Sequence, residues 1–333
     1  MKLGLAGDTM LGRKVAERLA EVSPTALFAD EVVAAAHEAD LFVLNLECAI
    51  SDRGEPWPDP NKAFFFRAPP IAVETLRHLG VGCVTLANNH ALDFGPVALL
   101  DTCHHLANAG IAWVGAGVDE RAARAPMVLE RAGVRVGIVG VTDHPSDYAA
   151  TAGRPGVAYA DLGRGVPNWV RDTVRGVDAD VVVVLPHWGP NMVREPVAHV
   201  RSAAAVLLKA GASLVAGHSA HVFHGVDHRV LYDLGDFIDD YARDPDLHNE
   251  FGLLWLVTFE GCVPTRVEAV PLALGYCHTR LANPDETAWI SDRFRRACTA
   301  LRTEAKQERG RLVIEWPARD EVSRLRSGAS RRT

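Results

Sequence analysis

Metal-ligating side chains recur in this sequence immediately after short aliphatic runs. Asp8 closes Leu3-Gly4-Leu5-Ala6-Gly7, Asn45 and Glu47 flank Leu46 after Leu41–Leu44, and Asn88-Asn89-His90 follows Cys83–Ala87. His187 ends Val181–Pro186, and His218 and His221 follow Leu214–Gly217. The donors are imidazoles, carboxylates and amide oxygens without a thiolate, a set suited to Mn²⁺, Fe or Zn²⁺ in a reactive site rather than to structural zinc. Two carboxylates, an asparagine and three histidines exceed what one tetrahedral ion takes and match two. Two divalent ions side by side lower the pKa of a water, polarise an electrophilic oxygen and hold an in-line attack, which is the chemistry of hydrolysis or group transfer. An imidazole left over can protonate the leaving group.

Such residues act together only if the fold delivers them to one place. The chain reads as strand, loop, helix, repeated: strands at Lys2–Ala6, Asp40–Leu46, Cys83–Leu86, Ala112–Val114, Val134–Val141, Val181–Leu185 and Leu214–Ala216, with helices at Arg13–Glu21, Ile71–Leu79, Pro96–Ala109 and Pro196–Ala210. Continuous aliphatic runs belong to strands buried on both faces. In open α/β sheets the carboxyl ends of parallel strands line one crevice, where ligands bind. A polar residue ending such a strand must find a partner at its mouth or be costly. From Val222 the rhythm becomes back-to-back β, with strands expected at Val222–Val226, Arg229–Asp233, Gly252–Glu260 and Val263–Ala269. The whole predicts an α/β protein of two packed mixed sheets with helices outside. The expected organisation is a main domain over 1–280, a helix and strand packed on it over 281–322, and a frayed tail over 323–333. The proline-punctuated Glu55–Asn61 is equally a surface excursion or a flap over a substrate.

Composition removes several function classes. The 333 residues are 48% hydrophobic and 23% charged, ordinary globular values that exclude a disordered or coiled-coil chain. A net charge of −7 argues against nucleic-acid binding, a nuclease included. No run approaches the ~20 apolar residues of a membrane helix. Met1-Lys2 leads straight into the first strand rather than a secretory signal, so the expected compartment is the cytoplasm. The six cysteines show no zinc spacing, and those in apolar surroundings, such as Cys83 and Cys262, are expected to be buried thiols.

Taken in order, Gly7-Asp8-Thr9-Met10-Leu11-Gly12-Arg13, Asn45-Leu46-Glu47, Ala87-Asn88-Asn89-His90-Ala91-Leu92-Asp93-Phe94-Gly95, Gly115-Ala116-Gly117, His187-Trp188-Gly189 and Gly217-His218-Ser219-Ala220-His221-Val222 resemble the CapA (poly-γ-glutamate capsule biosynthesis, PGA_cap) family of the calcineurin-like metallophosphoesterase superfamily. The resemblance spans roughly residues 1–275. It implies a four-layer αββα sandwich with a two-metal site at its edge. It assigns Asp8 and His221 to a first metal, Glu47 to a bridge, and Asn89, His187 and His218 to a second metal. His90, oriented by Asp93, becomes the general acid or transition-state stabiliser. The superfamily's Asp-x-His motif carries Met10 at its third position here, which implies an under-liganded first ion that water or Asn45 helps to complete.

Further residues are candidates for contact with an anionic substrate: Arg13, Arg67, His144, Trp188 and His224. Arg13 and Arg67 equally suit structural ion pairs, Trp188 suits packing, and His224 and His228 are expected outside the ligand set. The run Asp233–Tyr241 resembles the family's Leu-Gly-Asn-Phe turn, with its acids expected to face solvent. The expected function is a dinuclear metal-dependent hydrolase or acyl/phosphoryl transferase for a small phosphorylated, glutamyl or peptide-like substrate. The alternative is a non-catalytic metal-containing assembly component of a polyglutamate-like system.

Overall fold

The computed structural model describes residues 1–316; the expected 323–333 tail and the end of the 281–322 segment lie outside the described residues. The first half alternates as its pattern dictates: β1 (Lys2–Thr9), α1 (Arg13–Glu21), α2 (Asp30–Ala36), β2 (Leu41–Leu46), α3 (Ala72–His78), β3 (Val81–Thr85), α4 (Gly95–Asn108) and β4 (Ala112–Val114). A second set follows, with β5 (Met127–Arg131), β6 (Val134–Thr142), α5 (Asn168–Gly176), β7 (Val181–His187), α6 (Ala198–Ala210), β8 (Leu214–Ala216), β9 (Val226–Asp227) and β10 (Val230–Leu231). The chain then returns through β11 (Asp236–Ile238), β12 (Phe251–Glu260), β13 (Val263–Gly275), β14 (His278–Leu281), α7 (Pro284–Ala300), β15 (Lys306–Glu308) and β16 (Arg311–Glu315).

Two mixed sheets result. The larger runs β15-β16-β13-β12-β1-β2-β3-β4, with β11 added beside β1 and β14 beside β13; the smaller runs β9-β10-β8-β7-β6-β5. β2 and β7 are buried at every position, which is why their sequences are apolar up to the site residues Asn45 and His187. Between the sheets lies a core that includes Leu3, Val43, Val183, Leu214 and Trp255. Helices α1 to α4 cover the outer face of the larger sheet through Val15, Val32, Leu76 and Leu99, and α5 and α6 cover the smaller through Val170, Val174 and Leu207. The architecture is the αββα sandwich expected from the sequence. α7 places Ile290, Phe294 and Cys298 in the inter-sheet core, so this helix closes the sandwich. Its start is fixed by a capping box, Asn283 accepting from the Glu286 amide while Glu286 accepts from the Asn283 amide. Among the described residues no helix is long and apolar enough to cross a membrane.

Two expectations need correction. Val222–Val226 is not a strand; only Val226–Asp227 pairs, because the preceding segment has Ser219 at φ 122° and His221 at φ 59°, left-handed conformations that no ladder accommodates. Cys262 is exposed at the tip of the β12–β13 hairpin, beside Gly261 at φ 59°, whereas the other five cysteines are buried.

Gly7 and Gly235 pinch the fold together where β1 meets β11. The Asp8 amide donates to the Gly235 carbonyl at 3.0 Å, and a Cβ on Gly7 would stand 1.9 Å from that oxygen. Gly7→Ala must therefore part the two strands. We expect a loss of about 1–3 kcal/mol in urea denaturation, the usual cost of forcing extra atoms into a packed site.

Candidate metal centre

Asp8 lies at the middle of the larger sheet and is wholly buried. Its Oδ1 accepts from Asn45 Nδ2 at 2.8 Å, and its Oδ2 accepts from the Ser219 amide at 3.3 Å and stands 3.2 Å from His221 Nδ1. The parallel pairing of β1 with β2 sets Asp8 opposite Asn45, and its pairing with β11 sets Asp8 opposite Asp236. β7 and the loop after β8 bring His187 and His218 across from the other sheet, their Nδ1 atoms 2.8 Å apart. Donor atoms of Asp8, His187 and His218 all lie within 4.8 Å of one another, as do those of Asp8, His221 and Asp236. Asp8 thus belongs to both groups.

Asn45 has a specific part in this arrangement. Its Nδ2 donates to Glu47 Oε2 at 3.0 Å as well as to Asp8, while its Oδ1 is taken by Asn88 Nδ2 at 2.9 Å. The side chain clamps two carboxylates together and turns its oxygen away from them. Holding candidate ligands in place is one of the two roles the sequence left open for Asn45.

Glu47 Oε1, Asn89 Oδ1, His187 Nε2, His218 Nε2 and Asp236 Oδ2 are buried without a hydrogen-bond partner. Such atoms each cost about 1–3 kcal/mol and are rare in native proteins. Five around one carboxylate cluster fit cation coordination, since carboxylate and amide oxygens and an unprotonated imidazole nitrogen all offer lone pairs. The charges agree. Burial and then the neighbouring His218 hold His187 well below its ordinary pKa, and burial brings His218 down to about 4. Both imidazoles are therefore the free base that a metal requires. Burial opposes ionisation of Asp8, but the hydrogen bond and charge of His221 outweigh it, and the carboxyl titrates far below the usual range. Burial and then the charge of Asp8 raise Glu47, and burial raises Asp236 against the pull of His221.

Beside this cluster, His90 Nδ1 meets Asp93 Oδ2 at 2.7 Å and His90 Nε2 is 3.9 Å from Glu47 Oε1. Asp93 is held on all sides: by the Phe66 amide at 2.6 Å, by Lys62 Nζ at 2.8 Å and by the Tyr148 hydroxyl at 3.2 Å. The His90 ring is thereby fixed with its proton on Nδ1 and Nε2 left as the reactive edge. Burial lowers the His90 pKa, with Asp93 opposing. The Glu55–Asn61 loop covers this pair: the Trp57 amide donates to the Asp93 carbonyl at 2.8 Å and its ring packs edge-on against Tyr148 at 4.8 Å. A cavity of about 380 Å³ opens over the centre, lined by Lys62, Phe64, Asn89, His90, His221 and Tyr241 among others.

The remaining candidates divide. His144 reaches the centre, its ring 5.1 Å from that of His187. Arg13 is ion-paired with Asp240 at 3.2 Å, and Arg67 lies over Phe94 at 4.1 Å and donates to the Gly54 carbonyl; neither lines the cavity, because both are engaged in holding loops. Trp188 is buried and donates to the Tyr232 carbonyl at 2.9 Å, a packing role. His228 lines a different cavity, beside Arg302 and Glu304. The acids of Asp233–Tyr241 do not face solvent as expected. Asp233, Asp236, Asp239 and Asp240 are all buried, Asp236 meeting His221 at 2.9 Å and Asp233 accepting from the Ala220 and Gly235 amides. Sequence reasoning also missed Lys62 and Tyr148. Asp236 had a signal, an acid five residues beyond the aliphatic β10 and directly after a glycine, whereas nothing local marked Lys62.

His224 stands outside the ligand groups, its Nε2 on the Val193 carbonyl at 2.8 Å and its Nδ1 unpartnered. Burial brings its pKa down from 6.5 to about 4. Between those values the unfolded chain holds a proton that the folded chain lacks, so stability falls as pH drops from 6.5 toward 4 and is fully present above 6.5. We expect urea melts at pH 7 and pH 4 to show that His224→Gln has a smaller acid loss than the parent, by about 3 kcal/mol.

A family model described as "Bacterial capsule synthesis protein PGA_cap" matches residues 2–241. A probable polyglutamine synthesis accessory protein of Mycobacterium tuberculosis is 32% identical over 279 residues, covering 77% of this chain and 72% of that one. The PGA biosynthesis protein CapA of Bacillus subtilis is 27% identical over 246 residues, covering 72% of this chain and 63% of that one. A novel phosphatase of Mycoplasma pneumoniae superimposes with a TM-score of 0.48 at 13% identity, over 86% of this chain and 96% of that one. With the family match extending from the first strand through the Asp-rich turn, this chain belongs to the bacterial capsule synthesis protein PGA_cap family.

Proposed function

We propose that this chain is a metal-dependent hydrolase or acyl/phosphoryl transferase acting on a small phosphorylated, glutamyl or peptide-like anion. The observation that carries this reading is His90, locked by Asp93 and standing 3.9 Å from Glu47 beside a buried donor cluster. A site built only to hold ions has no use for a second imidazole fixed in one tautomer. Asp8, His221 and Asp236 would hold one divalent ion, and Asn89, His187 and His218 another, with Glu47 shared and Asp8 bordering both. Asp236 offers the anionic oxygen that Met10 cannot, since Met10 is packed into the helix-side core. When bound, Mn²⁺, Fe or Zn²⁺ in this position supplies Lewis-acid polarisation of the substrate and a water of lowered pKa.

The chain's own groups do the rest. Asn45 keeps two carboxylates at a fixed separation. His90 presents Nε2 to the reacting groups, takes a proton there from the attacking water and passes it to the leaving group, and Asp93 stabilises the imidazolium between the two transfers. Lys62 and Tyr148 hold Asp93 in turn, so the dyad does not swing when substrate enters. The Trp57 loop shields the pair from water.

A second reading rests on the Mycobacterium tuberculosis relative, which is named a synthesis accessory protein: the centre would then organise an assembly surface without turnover. Elemental analysis of the purified protein, with assays on an activated phosphodiester and a γ-glutamyl anilide, separates the two. We expect about two divalent ions per chain and metal-dependent turnover of one substrate. His218→Ala lowers metal content, while His90→Ala keeps the metal and lowers kcat by about 10²–10⁴. Stoichiometric metal with no turnover of either substrate establishes the accessory role.

A further inference from the structure

A second cavity, of about 280 Å³, lies between the 194–196 loop, α6 and α7, and its lining contains Arg194, Arg201, Arg293 and Arg296. Among the described residues only Arg296 of these four has an ion-pair partner, Asp292 at 2.6 Å. The acids in the lining, Glu195 and Asp246, come within ion-pair distance of none of them; Arg194 donates instead to the Asp246 carbonyl at 3.0 Å and Arg201 to the Pro196 carbonyl at 3.0 Å. Arg293 is the innermost. Its guanidinium lies over Phe223 at 4.8 Å and near Trp289 at 5.6 Å, one terminal nitrogen donates to the Leu247 carbonyl, and the other, Nη2, is buried with no partner. Burial and then the charges of Arg194 and Arg296 press its pKa down to about 10.

Four guanidinium groups converging on one hollow repel one another, and a protein gains nothing by this unless an anion completes the set. Planar guanidinium forks match carboxylate and phosphate oxygens in pairs, which favours a ligand carrying more than one such group. We propose that this cavity is an oxyanion-binding site for a ligand with two or more carboxylate or phosphate groups.

Its position adds a second consequence. Met192 and Asn249 line the cavity over the metal centre, while Arg194 and Asp246, two and three residues away on the same loops, line the arginine cavity. Chain segments of that length span at most about 7–11 Å. An elongated anion held by the arginines can therefore extend its next segment over the shared loops to His90. That extension rests on the hydrolase reading; the anion site does not.

Isothermal titration of the purified protein with inorganic phosphate and with a γ-linked triglutamate, each against KCl of equal ionic strength, tests the site without using activity. We expect saturable binding of at least one, tighter triglutamate identifying a carboxylate chain and tighter phosphate a phosphorylated ligand. Arg194→Gln with Arg296→Gln, both at exposed positions, should weaken binding about a hundredfold with metal content and Tm unchanged, and Arg293→Gln should abolish it. No saturable heat beyond KCl overturns the proposal. So does equal affinity in the double variant, or an affinity lost on chelation of metal but indifferent to the arginines, which would place the anion at the metal centre.

Discussion

Carboxyl groups buried at the mouths of the strands govern this structure. Asp8, Glu47, Asp233, Asp236, Asp239 and Asp240 are each 7% exposed or less, and taking carboxylates out of water is expensive unless something answers their charge. Part of the answer is internal. Arg13 meets Asp240, two amides meet Asp233, and Asn45, Ser219 and His221 surround Asp8. The internal supply stops short, and Glu47 and Asp236 retain oxygens that no group in the described chain satisfies. The free-base state of His187 and His218 completes the picture, because neutral imidazoles add lone pairs without adding positive charge. The cluster is arranged to be neutralised from outside the polypeptide.

The scaffold explains how so costly a cluster is tolerated. Asp8 and Asn45 are held by strands that are buried beyond Lys2 and mostly apolar, so their positions follow from the packed sheets rather than from loops. His218, Ser219 and His221 sit on irregular backbone instead, but that backbone is tied down by amide bonds to the same acids it serves. Carboxylates and loop thus fix each other. On the opposite side, Lys62, Phe66 and Trp57 come from one long connection and all fasten on Asp93. The catalytic imidazole proposed here is therefore steadied by a loop, not a strand, and the adaptable part of the pocket is the part that meets substrate.

Much of this was legible in the residues. The aliphatic runs marked nearly every strand of the parallel regions, and the polar residues ending them fell at one crevice, because strand direction in an α/β sheet leaves few other outcomes. What escaped had no periodic signal. β11 is three residues long, so Asp236 looked like part of a polar turn, although pairing with β1 sets it opposite Asp8. Val222–Val226 read as a strand by composition, yet the two left-handed residues before it were invisible without the acids that hold them. Lys62 and Tyr148 reach Asp93 from distant segments, and only tertiary packing joins them. Asn45 was recognised as belonging to the centre, but the direction of its amide depended on Asn88, a contact across strands.

The pairing of β1 also bears on how the polypeptide is made. Its two flanks come from distant parts of the chain: β2 on one side, and on the other β12 and β11, which follow some two hundred residues later. During translation the first strand emerges early and keeps one row of backbone donors and acceptors vacant until residue 260 has cleared the ribosome. An open strand edge of this kind is a template for pairing with a neighbouring nascent chain. A chain released before that point keeps an unguarded edge with no native partner to close it.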